Sequence, residues 1–201
     1  MPEPLSSDAR ERVLNAAERL FLARGYAGVS MRDIAEDLGV RQATLYYHVP
    51  QGKDQLFLDV LDRNLARHRA GLEAAIRTAG PSLRDQLHAI VHWLVSQPPV
   101  DLLRLLRLDR AALPPDDGQR LLDSAHQSLI LPIAQVFRGA QERGEIRGVN
   151  AMMLAGSLLA MLDWLSFPIE AQYTTPPPRV MADELVDTLL DGLWCNPASP
   201  E

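Results

Sequence analysis

Residues 21–56 read FLARGYAGVSMRDIAEDLGVRQATLYYHVPQGKDQL, and this stretch decides the fold. Ser30 stands at the N-cap of a short helix over 31–38, which Gly39 closes. A further helix begins near Arg41 and reaches His48 before Pro50 and Gly52 break the pattern. Leu38-Gly39-Val40 makes the turn between them: glycine takes the backbone that a tight reversal needs, and Ile34, Ala35, Val40 and Leu45 supply a small shared core. Upstream, residues 8–24 place Val13, Ala17, Leu20 and Phe21 on one helical face, with Ser7 or Asp8 as cap and Gly25 as stop. The sum is a three-helix unit containing a helix-turn-helix, an arrangement whose second helix enters a DNA major groove.

Helical spacing recurs through the remainder and strict apolar-polar alternation does not, so the chain reads as all-α with about nine helices. A long fourth helix opens at Asp54 and runs toward Thr78, and breaks at Gly80-Pro81, Pro98-Pro99, Pro114-Pro115, 144–148 and 176–178 separate five more. Ser82 caps the fifth, whose Leu83, Leu87, Ile90, Val91 and Leu94 form an apolar stripe. The sixth covers roughly 100–112. The seventh runs from about Asp117 to Arg143, and Pro132 inside it removes a hydrogen bond and predicts a kink that shapes a cavity. The eighth, over 150–169, is apolar all round, which predicts burial on more than one side. Asp163 within it and Pro168 near its end argue against a membrane span. The ninth, over 179–194, carries Leu185, Val186, Leu189, Leu190 and Leu193 on one face and Asp183, Asp187 and Asp191 on the other. Closed pairing of the last two helices with those of a second copy is the expected cover for their apolar surface, giving a homodimer.

Composition bounds the function. Apolar residues make up 47% and charged residues 23%, so a packed core is expected and disorder is not. Cys195 is the only cysteine, which excludes an intramolecular disulfide and a thiolate metal cluster. Residues 1–8 have neither a basic n-region nor an apolar h-region, so a cytoplasmic protein is expected. The formal charge of −6 divides unevenly: residues 1–53 hold seven basic and seven acidic side chains, residues 54–201 hold 13 and 19. A neutral head meets phosphates only if its cations face one way, so the case for DNA rests on the motif.

The motif resembles the TetR family of transcriptional regulators. The resemblance is carried by the aromatic-to-Arg24-Gly25-Tyr26 run, by Ser30-Met31-Arg32-Asp33-Ile34-Ala35, by Gly39-Val40, and by Thr44-Leu45-Tyr46-Tyr47-His48 with Pro50 and Lys53. It covers the first quarter of the chain strongly, and implies a helix-turn-helix DNA-binding domain at 1–53 followed by a helical ligand-binding and dimerisation domain at 54–201. The resemblance also implies residue roles. Arg32 reaches into the groove and Gln42 reads a base edge, as guanidinium and amide groups do by bidentate donation. Ala43 meets a thymine methyl. Thr44, Tyr47, His48 and Lys53 contact phosphates, Ser30 presents a helix N-terminus to one, and Tyr46 serves either task. Two departures stand out. Arg41 replaces the small capping residue common at the start of the recognition helix, which leaves Arg41 for DNA. Gln51-Gly52 is one residue longer than the usual link to the lysine, and Lys53 is the only lysine beside 19 arginines.

Weaker constellations lie downstream. His88 and His92 are four apart, a spacing that lets two imidazoles share a metal, with Asp85 one turn before; off the apolar stripe, they read as a solvated face, and no metal is expected. Arg104, Arg107 and Arg110 near Asp101 and Asp109 read as surface ion pairs, with Arg107 offered as a partner for a ligand's charged head group. Trp93, Phe137, Met152, Met153, Met161, Trp164 and Phe167 supply large, adaptable groups between the fifth, seventh and eighth helices. Similar regulators bind drugs or acyl compounds there, and an apolar, acyl-like effector is expected. With no Gly-rich phosphate loop, G-x-S-x-G turn or paired carboxylates, neither an enzyme nor a cofactor is expected. The expected function is a repressor released from a palindromic operator by its effector; the alternative is a helical ligand-binding or scaffolding protein without DNA binding.

Overall fold

A computed structural model describes residues 7–97, 109–165 and 176–191, and every regular element among them is helical. In order these are α1 (Ser7–Arg24), α2 (Met31–Leu38), α3 (Gln42–His48), α4 (Gly52–Thr78), α5 (Leu83–Ser96), a single turn α6 (Arg110–Ala112), α7 (Pro115–Ala125), a π segment (His126–Ile130), α8 (Leu131–Glu142), α9 (Ala151–Trp164) and α10 (Pro178–Asp191). The chain divides into two compact units, the described parts of Met1–Leu65 with Val100–Ser124 and of Ala66–Pro99 with Ala125–Glu201.

The first unit is built around the apolar faces that the sequence spaces along α1, α2 and α3. Val13, Ala17 and Phe21 of α1, Ile34 and Ala35 of α2, and Leu45 of α3 share one core with Leu56, Phe57 and Val60 of α4 and with Leu113 and Leu121. Phe57 packs edge-on against Phe21 at 5.0 Å between ring centroids and meets Tyr26 at the same distance. Leu45, 0% exposed, is the one buried side chain of α3. The rim is ionic: Arg63 binds Glu11 at 3.0 Å and also Glu18, while Asn64 donates to Glu18 at 3.1 Å.

In the second unit α8 packs against both α5 and α9, and α10 packs on α5. Leu87, Ile90 and Val91 of α5, Ile133 and Phe137 of α8, Leu158 of α9 and Val186 and Leu190 of α10 are enclosed. The start of α5 is tied twice. Ser82 accepts the Asp85 N–H at 3.1 Å, and the Glu145 carboxylate accepts the Leu83 N–H at 2.8 Å. Asp85 also accepts the Ser82 hydroxyl at 2.7 Å, so it belongs to this cap.

Several expectations change. The fourth helix starts at Gly52, not Asp54. The seventh is two α-helices joined by a π segment: Pro132 has no N–H to bond one turn back, and the chain widens just before it, with the Leu131 N–H reaching His126 five residues earlier. The eighth, expected to be buried on more than one side, leaves one face open, with Met153 and Trp164 59% and 64% exposed. His88 and His92 do not form a solvated face; both are half-buried against Asp183 of α10. Asp109 is not at the surface but buried, accepting the Tyr26 N–H at 3.0 Å. Arg104, Arg107, Phe167, Leu193 and Cys195, most of the sixth helix and the expected ends of the eighth and ninth lie outside the described residues. No helix among the described residues is long and apolar enough to cross a membrane.

Leu45→Ala should remove about 2–5 kcal/mol from the first unit, as large-to-small changes at enclosed leucines do. Urea unfolding followed by circular dichroism measures it; a loss below about 1 kcal/mol would mean α3 is held by something other than this side chain.

Candidate nucleic-acid interface

The start of α2 is organised by a reciprocal capping box. The Asp33 N–H donates to Ser30 Oγ at 3.2 Å, the Ser30 N–H donates to Asp33 Oδ2 at 2.7 Å, and the Ser30 hydroxyl donates to the same oxygen. These bonds to the ionised form, led by the Ser30 hydroxyl, hold the Asp33 carboxyl below its ordinary range. At the other end Gly39 adopts φ +67°, and the Val40 N–H turns back to the Ala35 carbonyl at 3.0 Å. That left-handed residue reverses the chain into α3.

Arg41 precedes α3 with extended backbone and no side-chain cap bond, leaving its guanidinium exposed. With Leu45 turned inward, Gln42, Ala43, Thr44, Tyr46 and Tyr47 face solvent, Tyr47 at 60%. Such an exposed face on an anchored helix suits insertion into a groove. An open cleft of about 500 Å³ brings together five of the residues singled out in the sequence: Ser30 and Arg32 at the start of α2, Gln42 and Tyr46 on α3, and Lys53 at the start of α4.

The extra residue before Lys53 is absorbed at Gly52, whose φ of +80° few side chains tolerate and whose N–H bonds the Val49 carbonyl at 3.1 Å. Lys53 Nζ then lies 4.0 Å from the centroid of the Tyr26 ring. The Tyr26 hydroxyl donates to Asp54, and its pKa is pushed up to about 12 by burial first and by the Asp54 carboxylate second. The phenol therefore stays neutral beneath the ammonium. Arg32 is pre-engaged as well, bonding Glu36 one turn on at 2.8 Å. His48 is placed differently. It is half-buried, edge-on to Tyr47, and lines a separate cavity of about 230 Å³ with Val13, Leu14 and Leu56.

Sequence reasoning missed Asp33, Tyr26 with Asp54, and Glu36. The first was legible as Ser-x-x-Asp at the start of a helix, and the last as the i,i+4 partner of Arg32. Tyr26–Asp54 spans 28 residues and leaves no local pattern.

The proposed effector residues are less gathered. Phe137 is wholly enclosed, Trp93, Met152 and Met161 are half-buried, and Met153 and Trp164 point outward. A Cβ on Gly71 would fall 2.0 Å from the Trp93 ring, so glycine there makes room for the indole. Among the described residues nothing accepts from the buried Trp93 Nε1.

Comparison with known proteins bears on the family and the fold. The family described as "Bacterial regulatory proteins, tetR family" matches residues 13–60. ComR, an HTH-type transcriptional repressor of Escherichia coli (strain K12), is 31% identical over 144 residues, 68% of this chain and 67% of ComR. LmrA, an HTH-type transcriptional regulator of Bacillus subtilis (strain 168), is 42% identical over 55 residues, but that match spans only 29% of LmrA. A transcriptional regulator from Saccharomonospora viridis, solved in complex with choline, superposes with a TM-score of 0.75 at 26% identity, covering 95% of this chain and 100% of that one. AibR, solved with isovaleryl coenzyme A and operator DNA, shares the fold at a TM-score of 0.70 and 21% identity, over 92% of this chain and 97% of AibR.

Two substitutions separate base reading from phosphate anchoring. Gln42→Ala should cost about 1–3 kcal/mol at a duplex enriched from random sequence and relax preference at particular bases. Lys53→Ala should weaken all duplexes alike and lower the salt slope by about one. Unchanged base preference in Gln42→Ala would place the reading face elsewhere on α3.

Proposed function

The chain belongs to the TetR family of bacterial transcription regulators, and from that premise we propose that it is a ligand-responsive repressor, a homodimer that occupies a palindromic operator and leaves it when a small apolar effector binds. It is a helix-turn-helix regulator and not an enzyme. The observation that carries the DNA-binding half is the shared cleft of Ser30, Arg32, Gln42, Tyr46 and Lys53 beside the exposed face of α3. Residues 1–53 hold the DNA contacts in this reading, Arg41, Ala43, Thr44, Tyr47 and His48 among them, and residues 54–201 hold the effector and the dimer partner.

Dimerisation is supported by α9. Met153, Ser157, Ala160 and Trp164 are its exposed residues, and their spacing of four, three and four puts them on one face. Two large apolar groups at 59% and 64% exposure on that face suit a partner copy, and half-buried Leu185 and Leu189 of α10 are further candidates. A two-fold pairing of these helices sets the distance between two DNA heads, which is what a palindrome measures.

Assigning Met153 and Trp164 to the partner leaves Trp93, Phe137, Met152 and Met161 as the groups nearest an effector, with Phe167 and Arg107 proposed from the sequence alone. The unpartnered Trp93 N–H suits a ligand carbonyl, and the half-buried methionines suit an acyl chain. The choline complex of the Saccharomonospora viridis regulator supports a small molecule as effector.

Trp164→Asp should shift sedimentation toward the monomer while leaving helicity unchanged, and a dimer of wild-type affinity would remove α9 from the interface. Effector coupling is tested by titrating short- and long-chain acyl compounds during fluorescence anisotropy on the enriched duplex. Saturating effector should weaken DNA binding roughly 5–150-fold, and DNA should weaken effector binding by the same factor. Binding of an acyl compound with unchanged DNA affinity would reject release as the mechanism.

A further inference from the structure

The seam between α5 and α10 is polar where helix packing alone asks for apolar contact. His88 and His92 sit on successive turns of α5, facing Asp183 and Asp187 on successive turns of α10. His88 Nδ1 lies 2.7 Å and His92 Nε2 2.6 Å from the same atom, Asp183 Oδ1. Two imidazole nitrogens thus converge on one carboxylate oxygen, and the three potential ligand atoms lie within 4.8 Å of one another. All three side chains are half-buried, in a setting drier than bulk water yet open to it.

The partners of the remaining ring nitrogens decide what the cluster can hold. His88 has a carboxylate oxygen at each ring nitrogen, Asp187 Oδ1 3.1 Å from Nε2 and Asp183 Oδ1 2.7 Å from Nδ1, and a carboxylate only accepts, so a neutral ring donates to one of them at a time. With the proton on Nε2 and donated to Asp187, the Nδ1 lone pair is free for an ion that takes the place of the Nδ1 contact to Asp183. Asp187 is itself held by Arg84, and carboxylate–imidazole pairing of this kind orients histidines that bind metals. His92 Nδ1 accepts from Arg179 Nη2 at 3.2 Å, so without a metal the proton of a neutral His92 sits on Nε2. Coordination through Nε2 moves that proton to Nδ1 and displaces Arg179, an exposed residue in the first turn of α10.

We propose that His88, His92 and Asp183 form a binding site for a divalent transition metal, with Zn²⁺ the preferred ion, that joins α5 to α10. Two imidazoles and one carboxylate are a donor set for Zn²⁺ and its neighbours in the first transition row, and do not meet the all-oxygen demand of Mg²⁺ or Ca²⁺. Three protein ligands leave a fourth tetrahedral position for water. Asp187 acts as a positioning residue through His88, and Arg179 competes with the ion. The site goes beyond the repressor reading and does not depend on it.

The test uses the full chain without an affinity tag. Co²⁺, the spectroscopic stand-in, should produce the visible bands of a tetrahedral site at one equivalent per chain, and added Zn²⁺ should bleach them. Zn²⁺ affinity by competition should fall by about tenfold or more in His92→Gln and in Asp183→Asn, and by about 10–100-fold in Asp187→Asn, where only the second partner of His88 is lost. Arg179→Ala should tighten binding, an outcome that a cluster serving only as a helix–helix hydrogen-bond network does not predict. His126→Gln, an exposed histidine elsewhere, should change nothing. Affinity should also fall as the pH falls, because protons and metal compete for the same nitrogens. Circular dichroism separates loss of metal from loss of fold; if one histidine variant fails to fold, the two aspartate variants and Arg179→Ala still decide. Absence of the Co²⁺ bands, or Zn²⁺ binding equally strong in His92→Gln and Asp183→Asn, would overturn the assignment.

Discussion

The enclosure of Leu45 is the constraint on which the first unit's chemistry depends. A seven-residue helix does not persist in water by itself, because nucleation consumes more backbone entropy than so few hydrogen bonds return. One buried side chain must therefore hold α3 against the core, aided by the backbone turn at Gly39 that fixes where the helix begins. The economy has a consequence: with a single residue committed inward, nearly every other side chain of α3 is free to face a partner. Stability and exposure are here two sides of one arrangement.

The charged groups of that unit are held before any partner arrives. Arg32 leans on Glu36, and Lys53 rests over a Tyr26 ring kept neutral by burial and by Asp54. Each cation has a modest local partner that a phosphate or base can replace, because exposed ion pairs and cation–π contacts are weak in water. Such pairing orients the side chains and lowers the ordering cost of binding. In a head with equal numbers of acidic and basic groups, the arrangement of the cations matters more than their sum.

In the second unit apolar and polar surfaces are divided by helix face. α8 is enclosed between α5 and α9, whereas α9 turns Met153 and Trp164 outward and α10 lays an acidic row beside the histidines of α5. The π segment ahead of Pro132 keeps the helical path continuous through a residue that cannot donate. Burial pushes the Asp183 carboxyl up, yet the bonds from His88 and His92 and their charge outweigh it, and the net direction is down.

The sequence by itself determined what is local. Ser30, Gly39 and the spacing of Ile34, Ala35 and Leu45 specify the helix-turn-helix, since caps, turns and helical periodicity act over a few residues. The same is true of the Ser82 cap, and the bounds of α1, α2 and α3 fall within a residue of where the pattern puts them. Tertiary structure alone decided which faces met. Nothing near Asp109 announces that it will accept the Tyr26 N–H 83 positions away, and Asp183 looked like part of a solvated row until α10 docked on α5. Met153 and Trp164 are indistinguishable in sequence from their buried neighbours on a uniformly apolar helix, because with no polar face the period carries no direction. Local hydrogen bonding and periodicity are written in adjacent residues, whereas the environment of a side chain is set by whichever distant surface packs against it.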